Sequence, residues 1–173
     1  MCGILAIIGK GKDEALVKQL SKRMSHRGPD ESDLHVTEKG HILSHERLSI
    51  IDLHTGKQPI QGSKNAWMVH NGEIYNHLEL RRELLEGYKF NKWKGLSDTE
   101  TLLGCFEIWG IKKTLIKLRG MFAFVIVNFE AKEFFAVRDR FGIKPLYYSK
   151  QDDFYIFSSE IRPMHHSGLI PFE

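Results

Sequence analysis

The sequence has few cysteines, no long apolar run and no block of like charge. Its two cysteines, Cys2 and Cys105, are too few for a disulfide framework, so we expect both to be free thiols. Nowhere do about 18 consecutive apolar residues occur, which argues against a membrane-spanning helix. The 25 basic and 22 acidic residues are scattered and sum to +3, so charge predicts neither a nucleic-acid partner nor a membrane partner.

The beginning of the chain also lacks the pattern of a secretory leader. The apolar stretch 4–8 is too short for the hydrophobic part of a signal peptide, and no basic segment precedes it. We therefore expect a cytoplasmic protein. With 173 residues, of which 42% are apolar, the chain has the size of one globular domain, predicted to span residues 2–173.

Hydrophobic periodicity and turn residues predict a mixture of helices and strands. The β-branched run 4–8, stopped by Gly9, is typical of a strand buried on both faces, with Cys2 at its start. Helices are predicted over 13–24, over 76–87 and from Ser97 onward, and capping-box spacings mark the last two starts. Further strands are predicted at 33–37, 41–44, 66–70, 121–129, 133–137, 146–149 and 154–158. This pattern indicates an α+β fold.

Cys2 directly follows the initiator methionine. Because cysteine is small, Met1 can be removed, and its removal places a thiol and a free α-amine on one residue. The amine, with a reference pKa of about 7.7 to 8.0, can accept a proton at neutral pH from a thiol whose reference pKa is about 8.5. Cys2 is thus a candidate nucleophile for amide hydrolysis through a thioester. The alternative is a small buried residue at the start of a strand.

Asn71 and Gly72 offer the donors that an acyl-transfer site needs. An asparagine followed by glycine at a strand end can present a side-chain amide and an unobstructed backbone N–H to a developing oxyanion. The same dipeptide is also a common tight-turn signal, and the local pattern leaves both interpretations open.

Ordered blocks of residues run along nearly the whole chain. They are Met1-Cys2-Gly3-Ile4, Arg27-Gly28-Pro29-Asp30, His45-Glu46-Arg47-Leu48-Ser49-Ile50, Asn71-Gly72-Glu73-Ile74-Tyr75-Asn76, Ser97-Asp98-Thr99-Glu100, Gly120-Met121-Phe122-Ala123-Phe124, Arg138-Asp139-Arg140-Phe141-Gly142-Ile143-Lys144-Pro145-Leu146-Tyr147 and Ser158-Ser159-Glu160. In this order they resemble class II glutamine amidotransferases of the asparagine synthetase type.

This resemblance implies a role for each matching residue of a glutamine-hydrolysing site. Cys2 would attack the glutamine carboxamide, and Asn71 and Gly72 would form the oxyanion hole. Arg47 would bind the α-carboxylate, which suits the bidentate geometry of a guanidinium group. Asp98 would bind the α-ammonium group.

Further residues complete the implied site. Glu73 would border the glutamine pocket, and Leu48 and Ile50 would contribute main-chain contacts. Arg27 lies in a loop that closes near the nucleophile in this family.

Simpler interpretations stand beside three of these roles. Arg47 could be an exposed arginine at a strand end, and Asp98 could be a helix cap, since carboxylates are favoured at helix N-termini without any ligand. Arg27 could form an ordinary salt bridge within a turn.

Other chemistries find little support in the sequence. The His, Cys, Asp and Glu residues show no spacing typical of a zinc site, so no metal is predicted. The segment 9–12 lacks the frame of a phosphate-binding loop. Cys105 lies among apolar residues of the third predicted helix, where burial is expected to keep its thiol unreactive.

The resemblance also implies a fold and a partner. The fold would be that of an N-terminal-nucleophile hydrolase, an αββα sandwich of two antiparallel sheets between helical layers. L-glutamine would be the substrate, and the ammonia would pass to an ATP-pyrophosphatase synthetase domain or chain that converts aspartate to asparagine.

No counterpart of that synthetase domain occurs in this sequence, so any need for ATP and magnesium would belong to it and no cofactor is expected in this chain. The glutaminase domain itself could be C-terminally truncated. A sugar or a cell-wall carboxylate as ammonia acceptor and a non-catalytic glutamine-binding or partner-binding module are the alternatives.

Overall fold

The computed structural model describes residues 1–9, 13–49, 52 and 55–171 of the chain. In chain order the elements are β1 (Gly3–Gly9), α1 (Glu14–Lys22), β2 (Glu31–Val36), β3 (Ile42–Arg47), β4 (Ile60–Gln61), β5 (Ala66–Ile74), α2 (His77–Tyr88), α3 (Asp98–Lys117), β6 (Gly120–Asn128), β7 (Glu133–Arg138), β8 (Tyr147–Lys150), β9 (Phe154–Ser158) and α4 (Ile161–His165). The strands form two antiparallel sheets, in the orders β2-β3-β1-β9-β8 and β4-β5-β6-β7.

The two faces of each sheet pack against different partners. In β1, Leu5 and Ile7 belong to an apolar cluster with the residues of α1, while Ile4 and Ala6 belong to the cluster between the two sheets. This separation follows from the two-residue side-chain period of a strand, and a strand buried on both faces is therefore apolar at every position. Truncation of such a side chain, as in Ile7→Ala, is expected to cost about 2–5 kcal/mol.

A third apolar cluster joins the outer face of the second sheet to α2 and α3. Leu84 of α2, Leu102 of α3 and Phe124 of β6 are fully buried there. The order of layers is helix, sheet, sheet, helix, so the predicted α+β fold and its four-layer arrangement are confirmed. Cys105 also lies in this cluster, and burial raises the pKa of its thiol to about 12.

Two of the three predicted helices begin with a side-chain cap, of which the one at Ser97 was predicted and the one at Asp13 was not. The Asp13 carboxylate accepts a hydrogen bond from the Ala15 N–H at 2.8 Å, and the Ser97 hydroxyl accepts one from the Glu100 N–H at 3.2 Å. Both satisfy N–H groups that have no partner within the helix. The Ser97 cap fixes the first turn of α3, which carries Asp98.

The structure corrects the predicted bounds of α2. Asn76 occupies the N-cap position, but its side chain makes no capping hydrogen bond; its Nδ2 donates to the Lys117 carbonyl and its Oδ1 accepts from the Arg119 N–H instead. The helix does not end at Gly87; it continues to Tyr88 and stops where Lys89 adopts a left-handed conformation, with φ 55°.

The tight turn considered as an alternative at Asn71-Gly72 does not form. Strand β5 runs through both residues to Ile74, and Gly72 lies opposite Phe122 of β6. A Cβ atom on residue 72 would lie 2.1 Å from the Met121 carbonyl oxygen, so glycine is required by the close approach of the neighbouring strand rather than by a turn.

Candidate active site

One cavity of about 210 Å³ brings together most of the residues singled out in the sequence. From that set its lining includes Cys2, Arg47, Leu48, Asn71, Gly72, Glu73 and Asp98. Other residues of the lining are Met1, Gly56, Gln58, His70, Ser97, Thr99, Met121 and Lys144. Ile50 lies outside the described residues. Segments far apart in the chain thus meet at one small site.

Cys2 lies just before β1, one residue earlier than the strand itself, and its thiol faces the main chain of Leu48. The Leu48 N–H donates to Sγ at 3.4 Å, and the thiol donates to the Leu48 carbonyl at 3.7 Å. Burial raises the pKa of the Cys2 thiol, although the Leu48 N–H, the N-terminal charge and Arg47 each favour the thiolate. While Met1 is attached, the thiol is therefore mostly protonated at neutral pH and weakly nucleophilic.

Arg27 holds the main chain of the same cysteine. Its Nε donates to the Cys2 carbonyl at 3.0 Å, and its Nη1 donates to the Glu160 carboxylate at 3.2 Å. Arg27 does not line the cavity, and its side chain is 10% exposed. The salt bridge to Glu160 joins two distant segments and is not the one within a turn that was considered from the sequence, and the bond to the Cys2 carbonyl fixes the backbone at the candidate nucleophile.

Asn71 has an unusual environment for a buried amide. The residue is 1% exposed, and neither its Oδ1 nor its Nδ2 has a hydrogen-bond partner within the described part of the chain. Buried polar groups are nearly always paired, because an unpaired one loses the hydrogen bonds that water would have supplied. An unpaired amide beside a cavity is therefore ready to bind a polar group of a ligand.

Arg47 ends β3 and is 4% exposed, so the interpretation as an exposed strand arginine is wrong. Its Nη1 donates to the Glu31 carboxylate at 2.6 Å, and its Nη2 donates to the Asp52 carbonyl at 2.6 Å. These contacts fix the plane of the guanidinium group at the edge of the cavity. A buried cation of fixed orientation is suited to pairing with a carboxylate.

Asp98 is 5% exposed and ties α3 to the end of β5. One carboxylate oxygen accepts from the Ile74 N–H at 2.8 Å, and the other accepts from the Thr99 N–H at 2.9 Å. Because the Ser97 hydroxyl is the helix cap, capping alone does not account for this carboxylate. No salt bridge to Asp98 is found among residues 1–9, 13–49, 52 and 55–171, and its negative charge is available to a cationic ligand.

A buried polar network that was not predicted from the sequence lies beside these residues. The Gln58 carboxamide contacts the main chain of His70, whose Nδ1 lies 3.0 Å from the Thr99 hydroxyl. The His45 Nε2 lies 3.1 Å from the His70 carbonyl, and burial lowers the pKa of His45 to about 3. Lys144 lines the cavity too; its sequence block belongs to the resemblance, but no role had been assigned to it.

The described residues contain neither a cluster suited to a metal ion nor a helix suited to spanning a membrane. No group of His, Cys, Asp and Glu side chains there is arranged to hold a metal ion. No helix in that part of the chain is both long and apolar enough to cross a membrane.

Comparisons with known proteins agree with the geometry. A family model described as a glutamine amidotransferase domain matches residues 1–172. Glutamine-hydrolyzing asparagine synthetase 1 of Bacillus subtilis (strain 168) is 42% identical over 168 residues, which cover 92% of this chain and 26% of that protein. Glutamine-hydrolyzing asparagine synthetase 2 of Oryza sativa subsp. japonica is 40% identical over 171 residues, covering 95% of this chain and 28% of that protein.

A solved structure shares the fold at lower sequence identity. Glutamine phosphoribosylpyrophosphate amidotransferase from B. subtilis, complexed with ADP and GMP, superposes with a TM-score of 0.79 at 21% identity, over 96% of this chain and 44% of that one. The present chain spans only about a quarter of the length of the asparagine synthetases that it matches. It has the N-terminal-nucleophile hydrolase fold and belongs to the class II glutamine amidotransferase domain family, homologous to the corresponding domain of glutamine-hydrolyzing asparagine synthetases.

Proposed function

We propose that this chain hydrolyses L-glutamine to glutamate and ammonia through a glutamyl thioester on Cys2. The observation that carries the proposal is the meeting of a thiol, an unpaired buried amide, a buried guanidinium group and a buried carboxylate around one cavity. At about 210 Å³ the cavity is smaller than the roughly 300–1,000 Å³ typical of sites for drug-sized ligands, which favours a small substrate.

The two charged groups of glutamine match the two charged side chains of the site. Arg47 would pair with the α-carboxylate, and Asp98 would pair with the α-ammonium group. Leu48 and Glu73 border the same cavity, where Leu48 would add main-chain contacts. Ile50 was assigned a similar contact from the sequence, and that assignment stays a prediction. With both ends of the amino acid bound, the carboxamide is directed towards Cys2, and this positioning lowers the entropic cost of attack.

The reaction begins after Met1 has been removed. The Cys2 α-amine accepts the thiol proton, and Sγ attacks the carboxamide carbon to form a C–S bond. The Asn71 amide and the Gly72 N–H bind the oxyanion, which is charge stabilisation available only along the reaction path. Collapse of the tetrahedral adduct breaks the C–N bond and expels ammonia with the proton returned by the amine. Water then hydrolyses the thioester to glutamate and the free thiol.

The destination of the ammonia is proposed from the relatives. The asparagine synthetases are described as glutamine-hydrolyzing, and this chain matches only about a quarter of their length. An ATP-dependent synthetase domain or chain that converts aspartate to asparagine would accept the ammonia, and ATP with magnesium would bind there. A domain spanning residues 2–173 would act as its glutaminase part.

A different acceptor is the principal alternative. The phosphoribosylpyrophosphate amidotransferase of similar fold carries a different acceptor in its name. A sugar or a cell-wall carboxylate would be equally compatible with the glutamine pocket, because the pocket residues contact glutamine and not the acceptor.

Glutamate release tests the proposal together with the state of the N-terminus. Intact mass of the purified chain establishes whether Met1 is absent, and an enzymatic glutamate assay then compares wild type with Cys2→Ala. We expect equal amounts of glutamate and ammonia from wild type and none above background from Cys2→Ala. A folded wild-type chain that lacks Met1 and releases no glutamate, alone or with a synthetase partner, would support the non-catalytic module instead.

A further inference from the structure

At the edge of the second sheet, the side chain of Gln58 makes the hydrogen bonds to β5 that a neighbouring strand would otherwise make. Strand β4 pairs with β5 at two positions, Ile60 with Met68 and Gln61 with Trp67. The same antiparallel register extended by two residues places residue 58 opposite His70. Pro59 has no N–H to donate, so a regular ladder is not continued by the main chain at this point.

Gln58 supplies the missing hydrogen bonds with its carboxamide. Its Oε1 accepts from the His70 N–H at 2.6 Å, and its Nε2 donates to the His70 carbonyl at 3.2 Å. In an antiparallel sheet a hydrogen-bonded pair exchanges the same two bonds between main chains. The Gln58 amide therefore acts as an additional peptide group that completes the sheet at His70.

The position of this contact connects it to the reaction. His70 directly precedes Asn71 and Gly72, which carry the proposed oxyanion donors. On its other side β5 is held by β6, where Asn71 lies opposite Ala123. Gln58 fixes the strand from the side that β6 does not reach. The directions of the Asn71 side chain and the Gly72 N–H both depend on the backbone that Gln58 holds.

The same amide also reaches the segment that would bind the substrate ammonium group. Gln58 Nε2 lies 3.4 Å from the Thr99 hydroxyl, which contacts the His70 ring and follows Asp98 in the sequence. Gln58 is 7% exposed. One buried side chain thus connects the strand of the oxyanion donors with the first turn of the helix that carries Asp98.

We propose that Gln58 is a positioning residue for glutamine hydrolysis, whose carboxamide fixes the backbone that directs Asn71 and Gly72 towards the oxyanion. The inference rests on the proposed function of the chain. Misplacement of catalytic groups by about 1 Å can lower turnover by about 100-fold. A residue that acts in this way should affect the transition state more than the bound substrate.

The test compares Gln58→Met with Gln61→Met. Methionine keeps the length of glutamine but cannot form either bond to His70. Gln61 lies three residues away on β4 and is exposed, and its Nε2 donates a long hydrogen bond of 3.5 Å to the Asn65 side chain. For Gln58→Met we expect kcat to fall by about 10- to 100-fold with KM changed by less than about threefold. Gln61→Met should match wild type.

A second readout separates positioning from general loss of structure. An aldehyde analogue of glutamine, which forms a tetrahedral adduct with a thiol, should bind Gln58→Met more weakly in proportion to the loss of kcat. The affinity for glutamate should stay within about threefold of wild type. If Gln58→Met does not fold, Gln58→Glu takes its place, because it keeps an acceptor for the His70 N–H and loses the donor to the His70 carbonyl.

The kinetics of the variants and of wild type distinguish failure of the Gln58 inference from failure of the proposed function. Equal kcat in Gln58→Met and Gln61→Met, with an active wild type, overturns the role of Gln58 and leaves the proposed function standing. A loss fully explained by the unfolded fraction, or confined to KM, also overturns it. A wild-type chain without glutaminase activity overturns the proposed function and the inference together.

Discussion

Replacement of Asn71 by alanine should separate catalysis from stability. In most buried asparagines the amide is hydrogen-bonded, and its removal lowers the stability of the folded protein. The Asn71 amide is 1% exposed and has no partner within the described residues, so the folded chain gains little from it. If the amide serves the oxyanion, its contribution comes only during the reaction.

The expected changes in kcat and in unfolding free energy follow from the role of the Asn71 amide in the reaction and from its unpaired state in the folded chain. Loss of one oxyanion donor lowers kcat by about 100- to 1,000-fold, equivalent to about 2.7–4 kcal/mol. The unpaired amide carries a desolvation cost of about 1–3 kcal/mol in the folded state, and removal of that cost offsets the packing lost with the side chain. We expect the free energy of unfolding of Asn71→Ala to stay within about 1 kcal/mol of wild type, a shift in Tm below about 4 °C.

Asn76→Ala is the matched control, because its amide bonds the Lys117 carbonyl and the Arg119 N–H, each at 3.0 Å. This variant should lose about 1–3 kcal/mol of unfolding free energy and keep turnover within about twofold. Steady-state glutamate release and urea unfolding measure both quantities for each protein. Asn71→Ala with wild-type turnover, or with a stability loss equal to that of Asn76→Ala, would refute the assignment.

Three further predictions concern substrate binding, acid stability and a loop. Arg47→Lys should raise KM for glutamine by about 10- to 100-fold with a smaller effect on kcat, because lysine cannot form the bidentate pair; initial rates with an unchanged KM would contradict this. The neutral buried His45, with a pKa of about 3, should make unfolding free energy fall as pH drops below the ordinary value of 6.5, with a slope approaching about 1.4 kcal/mol per pH unit, since only the unfolded chain binds the proton. Urea series should give a smaller slope for His45→Gln, and identical slopes would exclude His45 as the cause. Burial opposes ionisation of Asp139, but main-chain N–H donors, among them those of Lys144 and Phe122, hold the pKa of its carboxyl below the ordinary value. Asp139→Asn should therefore lose about 2–4 kcal/mol in thermal unfolding at pH 7, and an unchanged Tm would argue against this role for the carboxylate.

The parts of the fold that were predicted correctly depend on local signals. A strand that is apolar on both faces, such as β1, and a helix start with a serine cap, such as Ser97, can be recognised within a few residues. In α1 hydrophobic periodicity does not by itself show which residues are buried, because Ala15 is exposed whereas Val17 is buried. Which of two neighbouring helix residues is buried depends on the angle at which the helix packs against its sheet.

The features that were missed depend on distant segments. The Asn-Gly turn signal at 71–72 was outweighed by the pairing of β5 with β6, and a sequence pattern does not show which strand lies alongside. The bond between Gln58 and His70 joins residues on two strands and has no periodic signature. The burial of Arg47 likewise depends on Glu31 from the neighbouring strand β2.

The candidate site was predicted from motif blocks rather than from periodicity. Cys2 was a candidate nucleophile from the chemistry of an N-terminal cysteine, whereas the roles of Arg47 and Asp98 came from family resemblance. Folding then places these side chains around one cavity. The roles themselves stay predictions until they are measured.

The most direct test of the central claim is detection of the glutamyl thioester. The chain lacking Met1 is mixed with L-glutamine, quenched in acid within the first turnovers and digested, and the N-terminal peptide is analysed by mass spectrometry. We expect a glutamyl group on Cys2 that disappears as glutamine is exhausted and never forms in Cys2→Ala. Glutamate release at the full wild-type rate by Cys2→Ala, with no adduct at residue 2 of either protein, would contradict the mechanism.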